Sequence, residues 1–183
     1  AGEPPEKYDL VHNGHKPNGD LRGQKSDTYD GGHREPFIAR WPGKITAGST
    51  ADALVCLTDL LATCAAIVGE KLPPNAGEDS YNILPILKSK KSTVREAVIH
   101  HSGRGYFAVR KGEWKLILTP GSGGFTAPSV VEPAPGEPTG QLYHMKTDPA
   151  EKNDVWTHYP EIVKELTQLL EDYQRQGFSR PMA

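Results

Sequence analysis

Cysteine is scarce in this chain: two among 183 residues, Cys56 and Cys64. Eight positions apart, they form neither a CxxC redox pair nor a zinc-ligand set, and they read as buried free thiols packing like small hydrophobes. Excess charge is also missing. Lys and Arg number 21 against 23 Asp and Glu, a formal net charge of −2, which gives no electrostatic reason to expect nucleic acid or an acidic membrane as partner. The most apolar run, LVCLTDLLATCAAIVG, is broken by Thr58 and Asp59 and is not a membrane span. No charged and then apolar leader opens the chain, and AGEPPEKYDL reads as mid-loop. Familiar nucleophile and phosphate motifs are absent too. Ser102 has no Gly-x-Ser-x-Gly elbow, and neighbouring His101 would project to the opposite face of a strand. GSGG at 121–124 lacks the Gly-Lys-Ser/Thr of a P-loop.

The length suits one buried core, or a main domain with a small appendage. Residues 1–35 are rich in Gly, Pro, Asn and Asp and read as loop. FIARW (37–41) reads as a short strand stopped by Pro42-Gly43, and ADALVCL (51–57) as a second apolar run. Thr58 or Asp59 can cap a helix through LLATCAAIV, with Gly69 at its stop. From Arg95 the period changes: REAVIHH, YFAVRKG, EWKLILT and QLYHM predict a four-stranded antiparallel meander. A Gly/Pro-rich excursion at 120–140 interrupts it, too long to be an ordinary connection. PEIVKELTQLLEDYQRQG then puts Ile162, Val163, Leu166, Leu169, Leu170 and Tyr173 on one helical face, with the meander the nearest sheet to cover. KSKKSTVR (88–95) reads as a solvated basic turn.

The least ordinary stretch is NGDLRGQKSDTYDGGHREPFIARWPGKI, residues 18–45. Lys25 stands between Gly23 and Gly31-Gly32, where backbone can pass closely by a ligand. Such a lysine suits an oxyanion, sulfate or phosphate, although on pattern alone a lone lysine in a Gly-rich loop reads as a solvated charge.

This stretch resembles the second signature region of the type I, formylglycine-dependent sulfatases: Leu-Arg-Gly-x-Lys, then Glu-Gly-Gly-x-Arg-x-Pro, then an apolar strand ending Trp-Pro-Gly. Asp30 stands where that family usually has Glu. LTDLLATCAAIVG, EDSYNILPIL, YFAVRKGEWKLIL and QLYHMKTDPAEKND resemble further family segments in the same order, so the likeness covers roughly residues 18–176; bacterial arylsulfatase-like members look closest.

The resemblance implies an α/β chain: the C-terminal portion of an alkaline-phosphatase-like sulfatase fold. Residues 1–90 would be a remnant of the main α/β domain, and 91–183 a small α+β subdomain of about four strands packed by the C-terminal helix. It gives Lys25 a role, contacting the substrate sulfate and neutralising the bridging oxygen as the S–O bond breaks. Arg34 matches the signature too, as a site residue or as a tie for the loop. His101 could hydrogen-bond a leaving group at the pocket rim, or only cap a strand end; His100 should face the other way. The family's Cys/Ser-x-Pro-x-Arg nucleophile is not in this sequence, nor are its calcium ligands; HNG at 12–14 puts His12 where an Asp is needed. The expectation is therefore part of a sulfuric ester hydrolase, inactive alone. Calcium would be held by residues of the missing N-terminal half, and the substrate would be a small sulfate ester or sulfated carbohydrate. Family members are commonly exported, to periplasm or medium. Alternatives are a non-catalytic module of the same fold, or part of a related phosphate or phosphonate monoester hydrolase.

Overall fold

In the computed structural model, residues 16–90 and 92–181 are described; the HNG triplet lies outside them. Contacts divide the chain into two compact units: described residues through Glu35 with Ile99–Thr167, and Pro36–Val98 with Gln168 onward. Residues 22–33 contact the later strands directly, through pairs such as Arg22 with Tyr143 and Asp30 with Lys115.

The first unit carries the sheet. Strands β1 (Ala97–His101), β2 (Phe107–Lys111), β3 (Trp114–Ile117) and β4 (Gln141–His144) lie in the order β1-β2-β3-β4. The β2–β3 and β3–β4 pairs are antiparallel, with Lys111 opposite Trp114 and Lys115 opposite Tyr143. Gly112, at φ +55°, makes the tight β2–β3 turn in a conformation that disfavours other residues. Alternation sends Ala108, Ile117 and Tyr143 to one face, where Tyr29 and Met145 complete a core cluster. Val109, Leu116 and Leu142 are equally buried. A one-turn helix, α1 (Asp30–His33), precedes the sheet.

In the second unit, helix α2 (Asp59–Val68) ends at Gly69, whose left-handed backbone (φ 83°) lets the next N–H, that of Glu70, reach Ala65 O at 2.9 Å. Its anchor is Asp59 rather than a capping hydroxyl. The buried carboxylate accepts Cys56 N at 2.8 Å and Tyr81 N at 2.9 Å, and pairs with buried Arg95. The run 88–95 is therefore not all solvated: its last residue is a core cation. A short helix, α3 (Leu84–Leu87), forms in the segment that reads as irregular and buries Ile86. Helix α4 (Pro160–Gln176), whose residues through Thr167 belong to the first unit, runs as its apolar period predicts, burying Leu166 and Leu170. At its start, Lys111 Nζ of β2 pairs with Glu165 at 2.8 Å.

One expectation fails. FIARW forms no strand, and neither does the apolar run ADALVCL: Phe37 is 43% exposed and Ile38 92%. A strand needs a ladder partner for its N–H and C=O groups, and among the described residues none lies beside these runs. Leu57, Leu60, Leu61, Ile67 and Val68 are exposed as well, so this unit presents a broad apolar face. The cysteines are free, but Cys56 is half-buried and Cys64 exposed.

Candidate functional site

Lys25 lies exposed on a turn whose support is almost entirely backbone. Gly31 and Gly32 sit in α1, where propensity argues against them; close approach explains both. A Cβ on Gly31 would come 2.5 Å from Gly23 O, and one on Gly32 would come 2.4 Å from Asp27 O. The helix thus rests directly on the loop that carries the lysine. Gly31 N donates to Arg22 O at 2.8 Å and Asp27 N to Gln24 O at 3.0 Å, closing the turn around Lys25. Among the described residues no side chain pairs with its ammonium, which leaves the charge available to a ligand.

The next residue, Ser26, is left-handed at φ 85°, a strained conformation for a side-chain-bearing residue. Two other segments hold it there. Gly103 N donates to Ser26 O at 2.8 Å, and Gly124 lies so near that a Cβ would come 2.3 Å from the same oxygen. Asp27, buried beneath, ties the third side. Its carboxylate accepts Gln24 N at 2.9 Å, Phe125 N at 2.7 Å, Thr126 N at 3.1 Å and the Thr126 hydroxyl. Thr28 N reaches Ser122 O at 2.9 Å. The first part of the long 120–140 excursion is therefore scaffolding for the lysine turn, with residues 121–124 buried.

Below α1 lies a buried charge cluster. Lys115 is fully buried, its Nζ 2.7 Å from Asp30 Oδ1 and 2.7 Å from Glu151 Oε1, the latter off the hydrogen-bonding direction. Glu151 Oε2 also accepts Asp30 N at 2.7 Å. Burial opposes ionisation of Asp30, but the Lys115 ammonium beside it holds its carboxyl below the ordinary value. For Glu151 burial wins and its value is raised, Lys115 offsetting only part. Arg22 closes the cluster above, its guanidinium 3.9 Å from the Tyr29 ring centroid and bonded to Tyr143 Oη and Glu151 O.

His33 stacks on His100 with ring centroids 3.5 Å apart. Burial, with the nearby Lys115 charge, pushes His33 down to about 4. It is neutral at pH 7, so its 3.6 Å approach to Asp30 is not an ion pair there. Burial likewise lowers His100. A base whose folded value is depressed contributes stability above its unfolded value, lost as pH falls through the folded one. The chain should therefore lose on the order of 3 kcal/mol between pH 6.5 and pH 4 from His33 alone. Urea midpoints across that range measure it; a His33→Phe variant with an equally steep decline would rule it out.

Of the other candidates, His101 is exposed, two residues from the Gly103 contact with Ser26; its Nδ1 lies 2.8 Å from Ser102 O, and its ring meets Phe107 edge-on. His100 turns away, to Thr28 O, as alternation requires. Ser102 is buried, its hydroxyl accepting Arg104 N and Tyr106 N at 3.2 Å each, so it shapes a turn. Arg34 reaches Asp30 at 3.7 Å. Asp27 serves backbone N–H groups, and Asp30 and Glu151 share Lys115. Among the described residues no three His, Cys, Asp or Glu side chains gather as a metal site.

Sequence reasoning missed Asp27, Lys115, Glu151 and Phe125. For Lys115 a signal existed: in WKLI it has the same parity as core residue Ile117. Nothing local marks the other three.

No family model matches the chain. It is 37% identical over 159 residues to an N-acetylgalactosamine-6-O-sulfatase of Bacteroides thetaiotaomicron, covering 87% of this chain and 31% of that protein. It is 35% identical to human arylsulfatase A, covering 81% of this chain and 32% of the relative. Among solved structures, a 6S-sulfatase from a Bacteroides thetaiotaomicron glycosaminoglycan locus superposes with a TM-score of 0.77 at 35% identity, over 90% of this chain and 34% of that one. The chain thus spans about a third of the length of the curated relatives it matches.

Proposed function

Since the chain belongs to the sulfatases, matching a C-terminal part of them, we propose that it supplies the sulfate-contacting lysine and one wall of the substrate pocket of a sulfuric ester hydrolase. The observation that carries this reading is Lys25: an exposed ammonium without a protein partner among the described residues, on a turn fixed from three sides. In such an enzyme Lys25 sits where the ester's bridging oxygen gains negative charge as the S–O bond breaks. A fixed cation there lowers the barrier without reorganising during the step. His101, on the segment that holds Ser26, donates a hydrogen bond to a hydroxyl or leaving oxygen of the ester.

The nucleophile and the calcium ligands belong to the remainder of the relatives' length, which this chain does not span. The exposed apolar face of the second unit would pack against that remainder. The division into a main-domain part, 1–90, and a C-terminal α+β part, 91–183, belongs to the same reading. So does a substrate that is a small sulfate ester or sulfated carbohydrate: a structural neighbour at 27% identity and TM-score 0.56 is described in complex with D-glucosamine-2-N,6-O-disulfate. Export to the periplasm or medium accords with it; among the described residues no helix is long and apolar enough to cross a membrane.

The 183-residue chain alone should give no turnover of 4-nitrophenyl sulfate, with or without calcium, whereas the whole enzyme that contains it hydrolyses sulfate esters in preference to 4-nitrophenyl phosphate. Metal-dependent turnover by the isolated chain, or a phosphate preference in the whole enzyme, would overturn the reading.

A further inference from the structure

Phe125 is an exposed aromatic, 52% accessible, on a backbone with little freedom to move. Its N–H is bonded to Asp27 Oδ1 at 2.7 Å. On one side Gly124 N donates to Ser122 Oγ at 3.1 Å, and Gly124 O accepts the Ser129 hydroxyl. On the other, Thr126 O accepts Ser122 Oγ at 2.6 Å. Gly123 N reaches Ser129 O at 2.8 Å across the same loop. A ring held at the surface by this many backbone ties has no local route to burial.

Its position relative to Lys25 follows from shared contacts. One carboxylate, Asp27, holds Phe125 N and the N–H of Gln24, the residue before Lys25. Gly124, the residue before Phe125, packs on Ser26, the residue after Lys25. Lys25 and Phe125 thus flank the same two anchors, buried Asp27 and half-buried Ser26, and the segment bearing His101 closes on Ser26 as well. We propose that Phe125 is the platform on which the ring bearing the sulfate ester lies: a sugar pyranose or an aryl ring, whose apolar face stacks on the phenyl while Lys25 takes the sulfate. This rests on the assignment of Lys25. The platform touches the unreacting part of the substrate alike in ground and transition states, so its loss raises KM and spares kcat.

The test uses the whole enzyme with three substrates: 4-nitrophenyl sulfate, 6-O-sulfated N-acetylgalactosamine and a short alkyl sulfate. Phe125→Ala should raise KM about two- to tenfold on whichever ring ester the enzyme hydrolyses, with kcat within twofold and the alkyl ester unaffected. Phe125→Trp should restore the ring KM. An effect on the aryl or on the sugar ester alone identifies the ring. An unchanged ring KM, an equal rise on the alkyl ester, or failure of Trp to rescue would each overturn the proposal while leaving Lys25 in place. Absence of sulfate ester turnover by the unaltered enzyme would instead overturn the assignment of Lys25 and this proposal with it. A thermal melt of Phe125→Ala, expected to match the parent, separates binding from folding.

Discussion

Replacing Lys115 by methionine should cost about 3–5 kcal/mol of stability at pH 7, the range for removing one partner from a buried ion cluster. The fold keeps its apolar contacts, since methionine follows much of the lysine stem. What it loses is the ammonium between two carboxylates, Asp30 and Glu151, each 2.7 Å from it. Neither can turn to water, because both are buried and Glu151 also holds Asp30 N. The pH dependence gives a second reading. Without the cation both carboxyl values rise above their unfolded ones, so the variant gains stability at acid pH and loses it as pH rises through the raised values. The gap from the parent should therefore narrow from pH 7 to pH 5. Urea unfolding at both pH values measures it, and a loss under 1 kcal/mol at pH 7 would mean the cluster is not what holds α1 to the sheet.

Lys25→Ala should behave in the opposite way. The side chain is exposed and, among the described residues, unpaired, so the melting temperature should move by less than the scatter between preparations. In the whole enzyme, by contrast, kcat for sulfate esters should fall about 10²- to 10³-fold, the magnitude for removing one preorganised group that stabilises developing negative charge. A kcat within threefold of the parent would remove Lys25 from the chemistry. Together the two variants would separate scaffold from function, Lys115→Met read by stability and Lys25→Ala by turnover.

The meander and α4 were legible because each encodes a local period, with Gly112 and Gly177 marking where it stops. The stop of α2 was legible for the same reason. FIARW was not, because a strand is defined by its neighbour rather than by its own residues. The Lys25 stretch was legible only in part. Its glycines read as loop, whereas Gly31 and Gly32 are packed helical residues with no room for a Cβ. Lys115 read as an ordinary strand lysine because the carboxylate that neutralises it, Asp30, lies 85 positions away in sequence. Asp27 reads as a loop aspartate for the same reason: two of its partners are Phe125 and Thr126. Strand parity marks Lys115 as inward-facing, but contacts of such separation leave no periodic trace of the partner.

The ties from Asp27 to Phe125 and Thr126 also bear on how the 120–140 excursion can change length. Residues 121–126 are clamped to the lysine turn, so an insertion there would displace Ser26. Residues 134–137 are exposed and bonded mainly to one another, Glu137 N to Ala134 O and Ala134 N to the Glu137 carboxylate. Lengthening a surface loop at such a point costs only about 0.6 kcal/mol per doubling of its length. A single excursion thus combines a fixed half and a variable half. An extension of the second half would leave the Lys25 turn where it is.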